Sequence, residues 1–441
     1  MSLTRTVATR ALAIHALPPR AANAARLSLL DGLATMAAAV TLEPATRPFA
    51  DMARGPGAAT LLAGGTAPPG LAALANGVLS HALDFEDTFD ATGMHPNAVA
   101  IPALLALAEA EGVSLTNLPT SLALACDLTC RISLSLADDP AAHGWYHPPM
   151  IGCAGAAVGA AHLLGLSPDQ AVAAVSLALV QFSLTDALKR SPTSDLRAVR
   201  DGFAARAAVE GALLARAGVT GTTDPLAEAG GLGPLLTGSQ LQATAFDDLG
   251  HVFHGEHVTL KLWPCCRGTH PATALGLALR AEGIAPETLA AAAFTLTPPD
   301  DMLFHPLADR QRPSSAIGAK FSIPYCFAHA WRRGAPSLAA FAGGPRNDPG
   351  TLALAAKIAM RDCAPGLKPA AHLRFADGRE ETRPLPAPPV LPAGTAQLSD
   401  LRAKLADCRA HAPAAARPLL GALTEDALPE SLAPLLTPLR S

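Results

Sequence analysis

At 441 residues the chain exceeds one ordinary domain, so two domains are the first expectation. Half of the residues are hydrophobic and 16% are charged, which excludes a disordered chain and supplies a large core. The formal net charge is −4 and no basic stripe carries interleaved aromatics. This argues against a nucleic-acid partner and leaves room for an acidic substrate held by a local basic cluster.

Arg5, Arg10, Arg20 and Arg26 precede the first acidic residue, Asp31. That is the pattern of a mitochondrial presequence, but the apolar stretch Leu27, Leu29, Leu30, Leu33 and Met36 runs on without a processing break, so a first core helix is preferred. Alanine and leucine dominate the chain beyond that helix, and both are strong helix formers. Helical runs are expected over residues 71–85 (opened by Pro68 and Pro69), 101–111, 120–136, 154–164, 168–184 and 202–218, with Gly218 as a stop. Residues 141–168 carry no Asp, Glu, Lys or Arg, yet Pro148 and Pro149 break the stretch too early for a span of about 20 apolar residues. Residues 171–184 are too few. Both read as buried core.

Near Lys261 the character changes. Residues 291–297 and 371–379 look like strands, the second ending in an Asp377-Gly378 turn signal. Residues 384–392 are a proline-rich connector, and 398–435 return to a helical pattern. The fold class expected is therefore mainly α. A large all-helical domain is built from both chain ends, 1–256 and 398–441, with a smaller α+β domain, 257–397, inserted.

Five segments carry polar chemistry in apolar surroundings. Residues 76–88 carry His81 and end an apolar helix on Asp84, Glu86, Asp87 and Thr88, followed by His95-Pro96. A solvated helix end is the plainer explanation; on a continuing helix Asp84 and Thr88 would share one face. His147 stands just ahead of a helix N-terminus, where anions are favoured. Lys189, Arg190, Arg197 and Arg200 form a dense basic cluster able to grip carboxylates. In Lys261-Leu262-Trp263-Pro264-Cys265-Cys266-Arg267-Gly268-Thr269-His270, a lysine pointing into an interdomain cleft is a better candidate than a Cys265 nucleophile. Residues 319–325 end on Tyr325, one of only two tyrosines; Tyr146, beside His147, is the other. The eight cysteines contain no CxxC pair, and Cys126 and Cys130 read as core thiols, so no iron–sulfur or zinc ligand set is expected.

Taken in order, these segments resemble the MmgE/PrpD family, which includes 2-methylcitrate dehydratase, cis-aconitate decarboxylase and iminodisuccinate epimerase. The resemblance spans almost the whole chain. It implies a homodimer, a helical main domain with a lid, an active site between them, and no metal or organic cofactor. Carried over by motif, the site would comprise Asp84, Thr88, His95, His147, Lys261 and Tyr325. Glu86 stands where family members usually carry Asp, and His95 falls one residue later than in the decarboxylase pattern. Arg197 replaces a lysine of the decarboxylase branch, and an arginine binds a carboxylate without serving as a base.

The expected enzyme is a cytoplasmic lyase, most simply a hydro-lyase, acting on a small polycarboxylic acid. An epimerase or decarboxylase on the same scaffold is the alternative, and a non-catalytic helical binding protein a second one. His95 or His147 would move the proton, and Asp84 would orient a histidine. Lys261 and Arg197 would stabilise developing negative charge. Thr88, Arg200 and His270 would help bind substrate, and Tyr325 would protonate a leaving group or grip a carboxylate.

Overall fold

The prolines that punctuate the sequence mostly open helices. Proline at the first helical position loses nothing, because that N–H has no intrahelical acceptor. In the computed structural model, which describes residues 2–114, 117–181, 183–191, 194–422 and 433–440, helices Pro19–Leu42, Pro69–Ala82, Pro96–Ala110, Pro148–Leu163 and Pro168–Leu179 all begin this way. The Pro148-Pro149 pair, expected to break an apolar run, instead starts a 16-residue buried helix. Helix Pro19–Leu42 is long and apolar enough to cross a membrane, yet 78% of its most apolar window is buried inside the protein. Leu27, Leu29, Leu30, Leu33 and Met36 lie in that buried part, as a core helix requires.

One crossing positions the functional region. Helix Asp201–Arg216 packs on helix Pro69–Ala82 with Gly202 against Gly77. A Cβ on Gly77 would sit 2.6 Å from the Gly202 Cα, and one on Gly202 would sit 2.5 Å from the Leu74 carbonyl oxygen. Only glycine at both positions lets the backbones approach so closely. This brings the acidic loop after Ala82 beside Arg197 and Arg200, which precede Gly202.

The C-terminal helix Arg402–His411 returns to pack along Pro19–Leu42. Its buried Lys404 bonds Asp31 Oδ1 at 2.6 Å and the Phe85 carbonyl at 2.5 Å, so it props the acidic loop from behind. The main apolar cluster accordingly draws on both chain ends, from Leu27 and Leu104 to Leu401 and Leu419. Of the expected helical stretch 398–435, residues 423–432 lie outside the described residues.

A four-stranded sheet lies in the region between. Its order is Ile358–Cys363, Leu289–Leu296, Ala370–Phe375, Glu380–Pro384, with the first pair parallel and the others antiparallel. Two of these strands were expected, and residues 376–379 form the turn to the last one. Helices His270–Ala281 and Ile323–Arg333 pack together, and Phe294, Phe327, Trp331 and Leu373 fill a second cluster there. The chain is thus mainly α with this small sheet and a two-stranded one, Ala59–Thr60 antiparallel to Thr66–Ala67, so the part expected to be all-helical also carries a short hairpin.

Residues 258–260 form a junction. Thr259 exchanges backbone hydrogen bonds with Thr88 at 2.7 and 2.9 Å on one side. On the other, Leu260 N donates to the Leu391 carbonyl at 2.9 Å and Ala393 N donates to the Val258 carbonyl at 2.9 Å. The outgoing and returning strands of the chain therefore meet beside the acidic loop, with Lys261 next in line.

Candidate active site

Helix Pro69–Ala82 stops at Leu83, and Asp84 takes a left-handed conformation, φ +49°. That backbone costs a non-glycine residue roughly 1–3 kcal/mol, so the side chain at this position has to be worth keeping. The turn corrects one expectation. Asp84 and Thr88 do not share a helix face, because the helix has already ended and Thr88 pairs with Thr259 in extended backbone.

The turn folds the acidic residues inward. Lys261, fully buried, reaches Asp84 Oδ1 at 2.5 Å and Glu86 Oε1 at 3.6 Å. Glu86 Oε1 also lies 2.5 Å from His81 Nδ1 and 3.1 Å from His95 Nδ1. Burial alone would raise both carboxyls. Lys261 and His81 outweigh it at Asp84, lowering that pKa, while His81, Lys261 and His95 hold Glu86 well below the ordinary carboxylate range. Burial likewise opposes the charge on Lys261, but Asp84 and Glu86 push its pKa above the ordinary value. The ion cluster stays charged at neutral pH.

His95 rests on this cluster with its polarity set. Its Nδ1 lies 3.0 Å from the Asp87 carbonyl, 3.1 Å from ionised Glu86 and 3.4 Å from Thr88 Oγ1. The carbonyl and the carboxylate only accept, so Nδ1 carries the proton and Nε2 is the ring atom left for a substrate. Burial, with Lys261 and His81 adding to it against Glu86, brings the His95 pKa down to about 4. A neutral imidazole with a free Nε2 is a competent proton acceptor.

The donor atoms of His81, Asp84, Glu86 and His95 all lie within 4.8 Å of one another, a grouping that a metal ion could in principle use. The Lys261 ammonium, 2.5 Å from Asp84, already supplies the cation there. The 2.5 Å His81–Glu86 contact is a direct hydrogen bond rather than two ligands spread around an ion. The cluster is built for an ammonium.

In front of it lies a cavity of about 590 Å³. His81, Thr88, His95, Tyr146, His147 and Arg197 contribute to its wall. Arg197 is 7% exposed, its guanidinium stacks on the Phe321 ring at 4.1 Å, and its Nη2 has no hydrogen-bond partner among the described residues. An unpaired, largely desolvated guanidinium on a cavity wall is suited to a carboxylate. His147 stands at the N-cap position of helix Pro148–Leu163 without a side-chain capping bond, its Nδ1 has no partner among the described residues, and burial pushes its pKa down to about 4. Because prolines occupy the first two helical positions, that terminus lacks two of its N–H groups, so His147 itself is the polar contact here rather than a helix-end anion site.

The structure thus brings Thr88, His95, His147 and Arg197 to one cavity, with Asp84 and Lys261 directly behind its wall. Lys261 does not point into the cleft as expected, since Asp84 and Glu86 hold it below the surface. Nor does Asp84 orient a histidine; it pairs with Lys261, and Glu86 holds the imidazoles. Three further expected residues stand off the cavity. Arg200 is buried over the Tyr146 ring at 4.9 Å and donates to the Arg197 carbonyl. His270 is buried between Arg267 Nη1 and the Cys265 carbonyl, both at 3.2 Å. Tyr325 is fully buried in a separate cluster, its hydroxyl donating to the Ala340 carbonyl at 2.6 Å. The Arg190 side chain lies outside the described residues. Sequence reasoning placed His81 in the acidic segment but assigned it no role, and it undervalued Glu86 and Tyr146. For His81 the available signal was a histidine on an otherwise apolar helix face five residues before a glutamate.

Comparison with known proteins fits this geometry. The MmgE/PrpD N-terminal domain matches residues 5–244, and the MmgE/PrpD C-terminal domain matches residues 263–365. The chain belongs to the MmgE/PrpD family. Over 217 residues it is 29% identical to a cis-aconitate decarboxylase-like protein, oryM, of Aspergillus oryzae, covering 46% of this chain and 45% of that protein. It is 29% identical to human cis-aconitate decarboxylase over 211 residues, 46% of this chain and 43% of the relative. For mouse cis-aconitate decarboxylase the match is 28% over 233 residues, 50% and 46% respectively. The matched stretch spans less than half the length of each of these relatives. In this MmgE/PrpD chain, a neutral imidazole, a guanidinium whose Nη2 has no partner among the described residues, and a charged cluster behind them face one space. That arrangement can hold a carboxylate and exchange a proton at a neighbouring atom.

Proposed function

We propose that this MmgE/PrpD chain is a cofactor-independent lyase that removes a proton next to a carboxylate of a small polycarboxylic acid, with loss of water. The observation that carries this reading is the shared cavity of His95, whose Nδ1 is fixed as a donor, and Arg197, whose Nη2 is unpaired. Arg197 would anchor a carboxylate, and His95 Nε2 would take the proton from the adjacent carbon. The C–H electron pair forms the double bond as the C–O bond breaks. The imidazolium, stabilised by Glu86, returns its proton to the departing hydroxyl, which leaves as water. Lys261 keeps Glu86 and Asp84 ionised from behind.

Decarboxylation is the second reading, favoured by the names of the relatives. There the C–C bond to a carboxylate breaks, carbon dioxide leaves, the bond pair stays behind as a carbanion, and His95, after taking up a proton from solvent at Nε2, protonates that carbon. Epimerisation would stop at removal and return of the proton. The same reading takes residues 1–256 and 398–441 as the helical main domain and 257–397 as the lid, in a cytoplasmic homodimer. The apolar cluster built from both chain ends supports that division.

A panel of di- and tricarboxylic acids in deuterated water, followed by NMR, separates the chemistries. Dehydration yields an alkene with all carbons retained. Decarboxylation yields a product one carbon shorter that carries deuterium, and epimerisation exchanges the α-proton without an alkene. No reaction or exchange with any acid would sink the reading.

A further inference from the structure

Two histidines away from this cavity, half-buried His162 and buried His270, use both ring nitrogens, whereas His147 on the cavity wall and buried His329 each leave Nδ1 without a partner among the described residues. His162 bonds Ser121 Oγ through Nδ1 and the Ile14 carbonyl through Nε2, both at 2.8 Å. His270 bonds Arg267 and the Cys265 carbonyl, one through each ring nitrogen. This is the pattern of an imidazole that serves packing. His81 departs from it. It is fully buried on helix Pro69–Ala82, and its Nδ1 is tied to Glu86 Oε1 at 2.5 Å. Its Nε2 is buried without a partner among the described residues, while the ring forms part of the cavity wall. The ring centroid lies 5.0 Å from that of His95 and 6.4 Å from that of Phe321.

We propose that His81 is a further catalytic residue, touching the substrate through Nε2 beside His95. The inference rests on the lyase reading of the same cavity. Glu86 is ionised and accepts from His81 Nδ1, so any proton His81 gains or gives must pass through Nε2. That atom is buried with nothing to bond, an arrangement maintained at a cost unless a polar group of the ligand completes it. Glu86 is shared by two imidazoles, so a positive charge formed on either ring is stabilised by the same carboxylate. The 5.0 Å separation makes two such charges at once unfavourable. His81 and His95 then divide the work: one ring takes the proton from carbon while the other stays neutral and accepts a hydrogen bond from a substrate hydroxyl or carboxyl.

Two substitutions separate this role from a merely structural one. His81→Asn keeps an amide at the Nδ1 position to donate to Glu86 and removes Nε2. His81→Gln places its amide near the Nε2 position and withdraws the donor from Glu86. If His81 acts through Nε2, His81→Asn should lower kcat by about 100-fold or more with an unchanged melting temperature. If His81 only holds Glu86, His81→Asn restores near-parental kcat, and the proposal is overturned.

Should His81→Asn not fold, the wild-type enzyme carrying 15N-labelled histidine is titrated with tricarballylate, a saturated tricarboxylate with no hydroxyl to lose. A shift of the His81 Nε2 resonance supports contact. Saturation of the cavity without that shift overturns it. If the wild-type enzyme turns over no acid, the lyase reading fails separately, and the NMR titration still decides whether His81 meets a carboxylate.

Discussion

Two ion networks centred on a buried cation look alike in composition and differ in completeness. Around Arg131, whose side chain is fully buried, every guanidinium nitrogen is used. Nε bonds Asp127 at 2.7 Å, Nη1 bonds Asp248 at 2.5 Å and the Ala245 carbonyl at 2.7 Å, and Nη2 bonds the Val252 carbonyl at 2.7 Å. Asp127 accepts in addition from the His254 backbone N–H at 2.7 Å. Around Lys261 the pairing is as tight, yet His81 Nε2, Asp84 Oδ2 and Glu86 Oε2 are left without hydrogen-bond partners among the described residues. A finished network ties helix Leu118–Leu134 to the loop near residue 250. An unfinished one, standing behind a cavity wall, keeps polar capacity for a ligand. Completeness, more than burial or charge, separates the two.

The sharpest way to break this contrast is at His95. His95→Ala should reduce kcat by about 100- to 10,000-fold, as expected for a lost general base, and steady-state kinetics on whichever acid is turned over reads it. The fold should persist, since the ring sits on the cavity wall. A variant with parental kcat would remove His95 from the chemistry.

The converse test is Arg131→Met. It should leave Asp127 buried and unpaired and destabilise the fold by about 3–5 kcal/mol, measured by urea denaturation, with kcat per folded molecule unchanged. A collapse of kcat at full stability would mean that the complete network also serves the reaction.

The two networks were not equally legible in the sequence. The helices and the acidic segment could be read because periodicity and proline placement are local signals. Arg131 and Asp127 are four residues apart on one helix, a spacing visible at a glance. Lys261 and Asp84 are 177 residues apart, and nothing local says that a buried turn will bring them together. The family resemblance supplied both names but could not say that they face each other instead of the substrate. Strands Ile358–Cys363 and Glu380–Pro384 escaped notice for a related reason. Both are edge strands, with Arg361, Asp362 and Glu380 exposed, so neither shows more than the three apolar residues Ile358-Ala359-Met360 in a row.

A pH profile sharpens the comparison further. The unperturbed histidine value is about 6.5, and burial brings both His95 and His147 to about 4. The base form of His95 is therefore present above pH 4 and is lost as the pH falls through that value. The acid limb of kcat/KM should lie near pH 4, with no inflection near 6.5. A limb at 6.5 would show that the working base is a solvated histidine outside this cluster. Thermal stability is a poor readout over this window. The depressed histidines make stability rise with pH between about 4 and 6.5, while Asp87 and Asp300, pushed up to about 7 by burial, make it fall across much of the same range.

The smallest effect is expected at Tyr325, where the family motif and the geometry disagree most. Motif order carried this tyrosine into the site as a proton donor or carboxylate clamp. Its position three residues after the Ser322 cap turns it inward, and burial raises its pKa. Its hydroxyl is already committed to the Ala340 carbonyl, much as the Arg131 nitrogens are committed to theirs. By the completeness criterion Tyr325 belongs with the structural network. Tyr325→Phe should cost about 1 kcal/mol of stability, the net worth of one hydrogen bond, and leave kcat/KM near the parental value. A fall of about 100-fold would instead place the hydroxyl in the reaction and require the Tyr325 ring to swing from its cluster into the cavity during turnover.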